Sequence, residues 1–74
     1  MNFLQLTELT LNLQGTIDEK TIYVNPNHIK SFDEQYMGNF GIDLTRIHWA
    51  SDKSFNPLLV KETAQEIIHQ LIAC

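Results

Sequence analysis

The residues able to do chemistry are few in this sequence, and their spacing limits what they could do. His28, His48 and His69 lie about twenty residues apart, and the one cysteine, Cys74, stands at the last position. Metal sites draw on clustered ligands, so none of these is at ligand spacing and no metal or cofactor is expected. Ser31, Ser51, Ser54 and Cys74 belong to no motif that builds a nucleophile elbow or an oxyanion hole. Asp18-Glu19 and Asp33-Glu34 are adjacent acidic pairs. Neighbours in a strand point to opposite faces and cannot share a proton as a catalytic dyad does, so both pairs read as solubility and turn residues. Gly38-Asn39-Phe40-Gly41 has the letters of a glycine-flanked phosphate clamp. With no basic residue between the glycines and no helix following, it reads as a plain loop. No catalytic, cofactor-binding or metal-ligating residue is assigned, and the chain is read as a non-enzyme.

Aromatic residues carry the remaining signal. Tyr23, Phe32 and Trp49 fall in strand-like stretches and are expected in the core, whereas Tyr36 and Phe40 fall in the loop and are expected at the surface. With Met37 and Asn39 they form the candidate interaction surface. A sheet of short strands also has two edges, so self-association or strand pairing with another protein is a second expected contact.

The elements that position these residues can be read in order. From Phe3 to Leu13 apolar residues alternate but change phase at Thr7-Glu8, which predicts a strand with a bulge or break there. A helix competes, since Leu6, Leu9 and Leu13 share a helical face, but the alternating Thr and Asn positions favour the strand. Gly15 to Lys20 reads as a polar turn and Thr21-Ile22-Tyr23-Val24 as a second strand. Asn25-Pro26 must break or kink it, because proline offers no ladder donor. Asn27 to Phe32 resumes as a short strand anchored by Ile29, and Asp33 to Gly41 is a glycine-bearing loop, the segment expected to move most. Ile42 to Ser51 interleaves two apolar sets, so either the strand is bulged or both its faces are partly covered. Asp52-Lys53-Ser54 is a turn, Asn56-Pro57 a second breaker, and Leu58-Leu59-Val60 a last, short strand.

The C-terminus is the clearest element. Thr63-Ala64-Gln65-Glu66 is a capping box, and Ala64, Ile67, Ile68, Leu71 and Ile72 follow at helical spacing, with His69 on the polar side as a surface residue. So short a helix does not stand alone in water, so the whole stripe is expected to dock on the sheet, and an aspartate at Ile68 to unfold the domain.

Seventy-four residues suffice for one domain, read as 1-74, and exclude a multi-step enzyme with its own cofactor domain. A hydrophobic content of 43% with 19% charged residues is that of a soluble globular fold. The net charge of −4 repels phosphate backbones and anionic lipid, and the five basic residues are scattered. No nucleic acid and no membrane insertion are therefore expected. A lone cysteine gives no intramolecular disulfide, and the N-terminus lacks the charged and apolar regions of a signal peptide, so a cytoplasmic location is expected.

An ordered set of phrases carries a family resemblance: Leu6-Thr7-Glu8-Leu9, Ile22-Tyr23-Val24-Asn25-Pro26 with Ile29, Thr45-Arg46-Ile47, and Val60-Lys61-Glu62-Thr63 with Glu66-Ile67. In these the chain resembles the small bacterial FlbD-like proteins, a family named for a flagellar-operon member linked to swarming motility. It departs from their pattern at Asp52-Lys53-Ser54, where a glycine is usual, at Phe55-Asn56-Pro57, which looks inserted, and in a longer stretch between Leu9 and Thr21. The resemblance implies a compact sheet-plus-helix protein without enzymatic activity that contacts another protein, and it assigns no functional residue.

The expected fold is α+β, an antiparallel meander of four to five strands with the C-terminal helix packed on one face. Leu6, Leu9, Leu11, Tyr23, Ile29, Ile47, Leu59, Ile67, Ile68 and Leu71 are its expected core. The expected function is a non-catalytic protein-interaction module of bacterial type, associated with motility. A nucleic-acid-associated regulator is the alternative, disfavoured by the net charge, and a small enzyme subunit the third reading, for which no motif is found.

Overall fold

Two hairpins and a three-residue strand build the sheet in the computed structural model, which describes residues 3–50 and 57–73. Strands β1 (Leu4–Leu11) and β2 (Ile17–Val24) form the first hairpin, and β3 (Ile29–Met37) and β4 (Ile42–Trp49) the second. Strand β5 (Leu58–Val60) is followed by helix α1 (Ala64–Ala73). The spatial order is β2-β1-β5-β4-β3, all antiparallel. The last strand therefore lies at the centre and joins the two hairpins.

Local chemistry sets the turns. Asn12 Oδ1 accepts from the amides of Gln14 and Thr16 at 2.9 and 3.0 Å, and Gly15 supplies the positive φ of 82° that reverses the chain. At the second hairpin the Met37 carbonyl accepts from Phe40 and Gly41 at 3.0 and 2.8 Å, with Gly41 at φ 71°. Between the hairpins Asn25 caps a single turn of 3-10 helix, Pro26–His28, with proline at its first position, where a missing donor costs nothing.

That turn forces the sheet to curl. Strands β2 and β3 lie four spacings apart, about 19 Å in a flat sheet. The five residue steps from Val24 to Ile29 span at most about 17 Å even when extended, and the helical turn shortens them. Both hairpins therefore bend toward each other, and the inner face of the curl holds the core: Leu4, Leu6, Val24, Ile47, Val60 and, from the helix, Ile67. Ile22, Ile29, Phe32, Trp49 and Leu58 pack around it, half-buried.

The strands differ from expectation in their boundaries and in one expected break. The pairing of β1 with β2 is unbroken from Leu4 opposite Val24 to Leu11 opposite Ile17, so no bulge lies at Thr7-Glu8. The phase change arises because Leu4 and Leu6 face inward while Leu9, of opposite parity, is buried on the outer face. Strand β4 likewise buries both faces, with Thr45 and Ile47 inward and Leu44 outward. Strand β2 begins at Ile17 rather than Thr21, and β3 continues through Asp33 to Met37, which removes most of the expected loop. The one pairing irregularity of β3 falls between Ile29 and Ser31.

The core also differs from expectation. Leu6, Leu9, Ile47 and Ile67 are buried, and Ile29 and Leu59 are half-buried. Leu11, Tyr23, Ile68 and Leu71 are exposed instead. Tyr23 stands opposite Gln5, on the outer parity of the sheet, and Leu11 shares that parity at the hairpin end, on the face opposite the helix. Ile68 and Leu71 border the docked side of α1, Leu71 one turn beyond the buried Ile67, and each is covered only in part. The turn expected at Asp52-Lys53-Ser54 and the break at Asn56 lie outside the described residues.

Candidate interaction surface

The junction between β5 and α1 concentrates the polar side chains. Glu62 accepts from the Thr7 amide at 2.8 Å and the Thr7 hydroxyl at 2.9 Å, while its carbonyl accepts from the Thr45 hydroxyl at 2.6 Å. Thr45 has no solvent exposure, so this bond settles a hydroxyl that would otherwise be buried without a partner. The capping box forms as the sequence predicts: Thr63 Oγ1 accepts from the Glu66 amide at 3.1 Å and Glu66 accepts from the Thr63 amide at 2.9 Å. Glu34 of β3 adds a third contact, accepting the Ala64 amide at 2.8 Å. A carboxylate there suits the positive end of the helix dipole.

The short β5 leaves part of β1 without a strand neighbour, and side chains take its place. Gln70 closes two bonds with the Gln5 backbone, accepting from its amide at 2.9 Å and donating to its carbonyl at 3.0 Å. The Lys61 amide donates to the Thr7 carbonyl at 2.9 Å. These polar groups are thus engaged in joining the helix to the sheet. Two open cavities of about 160 and 270 Å³ flank the junction, one lined by Glu34, Asp43, Thr45 and Glu62 among others, the second by Thr7, Lys61, Glu62 and Glu66.

On the outer face of the second hairpin, Asp33 takes a forked pair from Arg46, at 2.7 Å to Nη2 and 3.3 Å to Nε, and His48 Nε2 stands 3.4 Å away. The hydrogen bond to Arg46 holds the Asp33 carboxyl below the usual carboxylate range, and the same bond raises Arg46. Asp33 and Glu34 do point to opposite faces, but they are tied to Arg46 and to the helix N-terminus rather than left as solubility residues.

Of the residues assigned to the interaction surface, Tyr36 and Met37 belong to β3 and not to a loop, and Asn39 and Phe40 belong to the turn that follows. Tyr36 is 61% exposed and Asn39 is exposed, while Met37 and Phe40 are half-buried. A larger apolar surface was missed by sequence reasoning. Ile68, Leu71 and Ile72 on α1 are 45%, 37% and 78% exposed. Their signal was present as a stripe of five apolar residues, too wide for a ten-residue helix to bury on a curled sheet through one contact line. His28 and His69 are exposed, and no group of three or more metal-ligating side chains occurs among the described residues. No helix among the described residues is long and apolar enough to cross a membrane.

The chain matches no protein-family model, no curated protein and no solved structure.

Proposed function

We propose that this chain is a non-catalytic protein-interaction module of bacterial type, associated with motility as the FlbD-like resemblance implies, and that it contacts a partner protein through the outward flank of α1. The exposure of Ile68, Leu71 and Ile72 carries this reading. Complete burial of such a side chain is worth about 1.5–3 kcal/mol, which a partner's groove recovers and water does not. Their i, i+3, i+4 spacing is that of helix anchors in a groove. The tip of the second hairpin, Tyr36, Met37, Asn39 and Phe40, is the second contact region of the same module.

The test is a double variant, Ile68→Ser with Ile72→Ser, tagged and used beside the unchanged protein to capture partners from its native cells. The expected result is one protein enriched by the unchanged chain and lost with the variant, both chains giving the same circular dichroism spectrum. Equal capture by both, or capture of no protein by either, refutes the proposal.

A further inference from the structure

The two outer strands of the sheet are built differently, and the difference singles out β2. In β3 the pairing slips at Lys30, between Ile29 and Ser31. A bulge is one device by which an edge strand resists pairing, and it is what separates the two edges, since β2 carries an exposed lysine of its own at Lys20. Strand β2 has neither a bulge nor a proline over its eight residues, and Asp18, Glu19, Lys20, Thr21 and Tyr23 are all exposed.

The direction of its free backbone groups follows from its neighbour. In β1 the backbone of Gln5 and Thr7 is engaged away from β2, by Gln70, Glu62 and Lys61. Antiparallel ladders alternate, so Leu4, Leu6, Glu8 and Thr10 bond to β2 through Val24, Ile22, Lys20 and Asp18. Glu19, Thr21 and Tyr23 therefore turn their amides and carbonyls outward, where no further strand lies among the described residues.

We infer that the outer edge of β2 accepts an extended segment of a partner protein as a sixth, antiparallel strand, with basic residues opposite Asp18 and Glu19 and an acidic one opposite Lys20. This rests on the interaction-module reading but uses a different surface from α1. Charge decides the occupant. Two copies pairing about a two-fold axis set a residue opposite itself. An axis at Asp18 or Lys20 sets like charges opposite each other, one at Glu19 sets Glu19 against itself while pairing Asp18 with Lys20 on both sides, and one at Thr21 sets Glu19 against Tyr23 and Lys20 against Ile22. A strand of complementary pattern meets neither cost.

The probe is a fluorescent heptapeptide, Tyr-Ile-Val-Glu-Lys-Arg-Val, whose order runs opposite Tyr23 back to Ile17, titrated with the full chain by anisotropy. Binding is expected, falling about tenfold when its Glu and its Lys-Arg pair are exchanged for Lys and Glu-Glu. Thr21→Pro removes only an outward donor and places a ring in the path of the incoming strand, so it should abolish binding while leaving the melting temperature within a few degrees. A second arm leaves the protein unchanged: N-methylation of the peptide residues opposite Glu19 and Thr21 should abolish binding, and of those opposite Asp18 and Lys20 should not. No binding, binding indifferent to the charge exchange or to the methylation pattern, or a dimer of the unchanged chain that Thr21→Pro dissociates overturns the inference. If the edge fails while the Ile68/Ile72 variant still loses its cellular partner, the edge assignment falls and the interaction module stands.

Discussion

Substituting the neighbours Ile67 and Ile68 by alanine separates the docked side of α1 from its open side. Ile67 has no solvent exposure and sits in the core cluster with Leu4, Leu6 and Val60, whereas Ile68 is 45% exposed. Ile67→Ala removes three carbons at about 0.8 kcal/mol each and leaves a cavity between helix and sheet, for a loss of about 3 kcal/mol. A chain of 74 residues has a total stability of roughly 4–11 kcal/mol, and each kcal/mol moves the melting temperature by about 4–8 °C at this size. The expected drop is therefore about 12–24 °C. Ile68→Ala loses about half of the burial and opens no enclosed void, so about 1 kcal/mol, or 4–8 °C, is expected. Thermal melts followed by circular dichroism, with urea titrations to confirm an unchanged m-value, read both. Aspartate sharpens the contrast: Ile68→Asp leaves a hydrated charge and a folded protein, where the stripe alone predicts unfolding, and Ile67→Asp unfolds it. Equal losses at the two positions refute the orientation of the helix.

Thr45→Val keeps the volume of a buried side chain but removes the donor to the Glu62 carbonyl, so a loss of about 1–3 kcal/mol is expected in urea titration. Asp33 gives a pH dependence whose sign is fixed. Its folded-state pKa lies below its unfolded value, so its contribution is present above the ordinary carboxylate range and is lost as pH falls through the folded value. Asp33→Asn should flatten the acid limb of stability against pH and leave neutral stability little changed, because the pair is exposed; an unaltered acid limb contradicts the assignment.

Much of the fold was legible where its cause is local. The capping box of Thr63 and Glu66 closes within four residues and needs no knowledge of what the helix touches. The kink at Asn25-Pro26 follows from a missing donor, and the Leu58 to Val60 strand from a short apolar run between breakers. The loop expected over Asp33 to Gly41 failed for a tertiary reason. Asp33, Glu34 and Gln35 look like turn residues, but Arg46 and the helix N-terminus satisfy the two acids and let the strand run on. The interaction surface was legible only in part: the hairpin-tip aromatics stood out as residue types, whereas the apolar flank of α1 was concealed within a stripe that reads as core.

The sequence by itself determined the helix with its cap, the order of the strands and the two parities along them, because periodicity and capping depend on residues a few positions apart. Only the tertiary structure decided which parity is inside. The short crossing from Val24 to Ile29 curls the sheet around Leu4, Leu6, Val60 and Ile47, and the three residues of β5 leave the Gln5 edge to be closed by Gln70. Those constraints fix where the helix can sit, and so bury Ile67 while leaving Ile68 and Leu71 partly and Ile72 largely exposed. Periodicity gives a side chain its face, but burial requires a second surface, and for Ile67 that surface draws on residues as distant in the chain as Leu4 and Leu6.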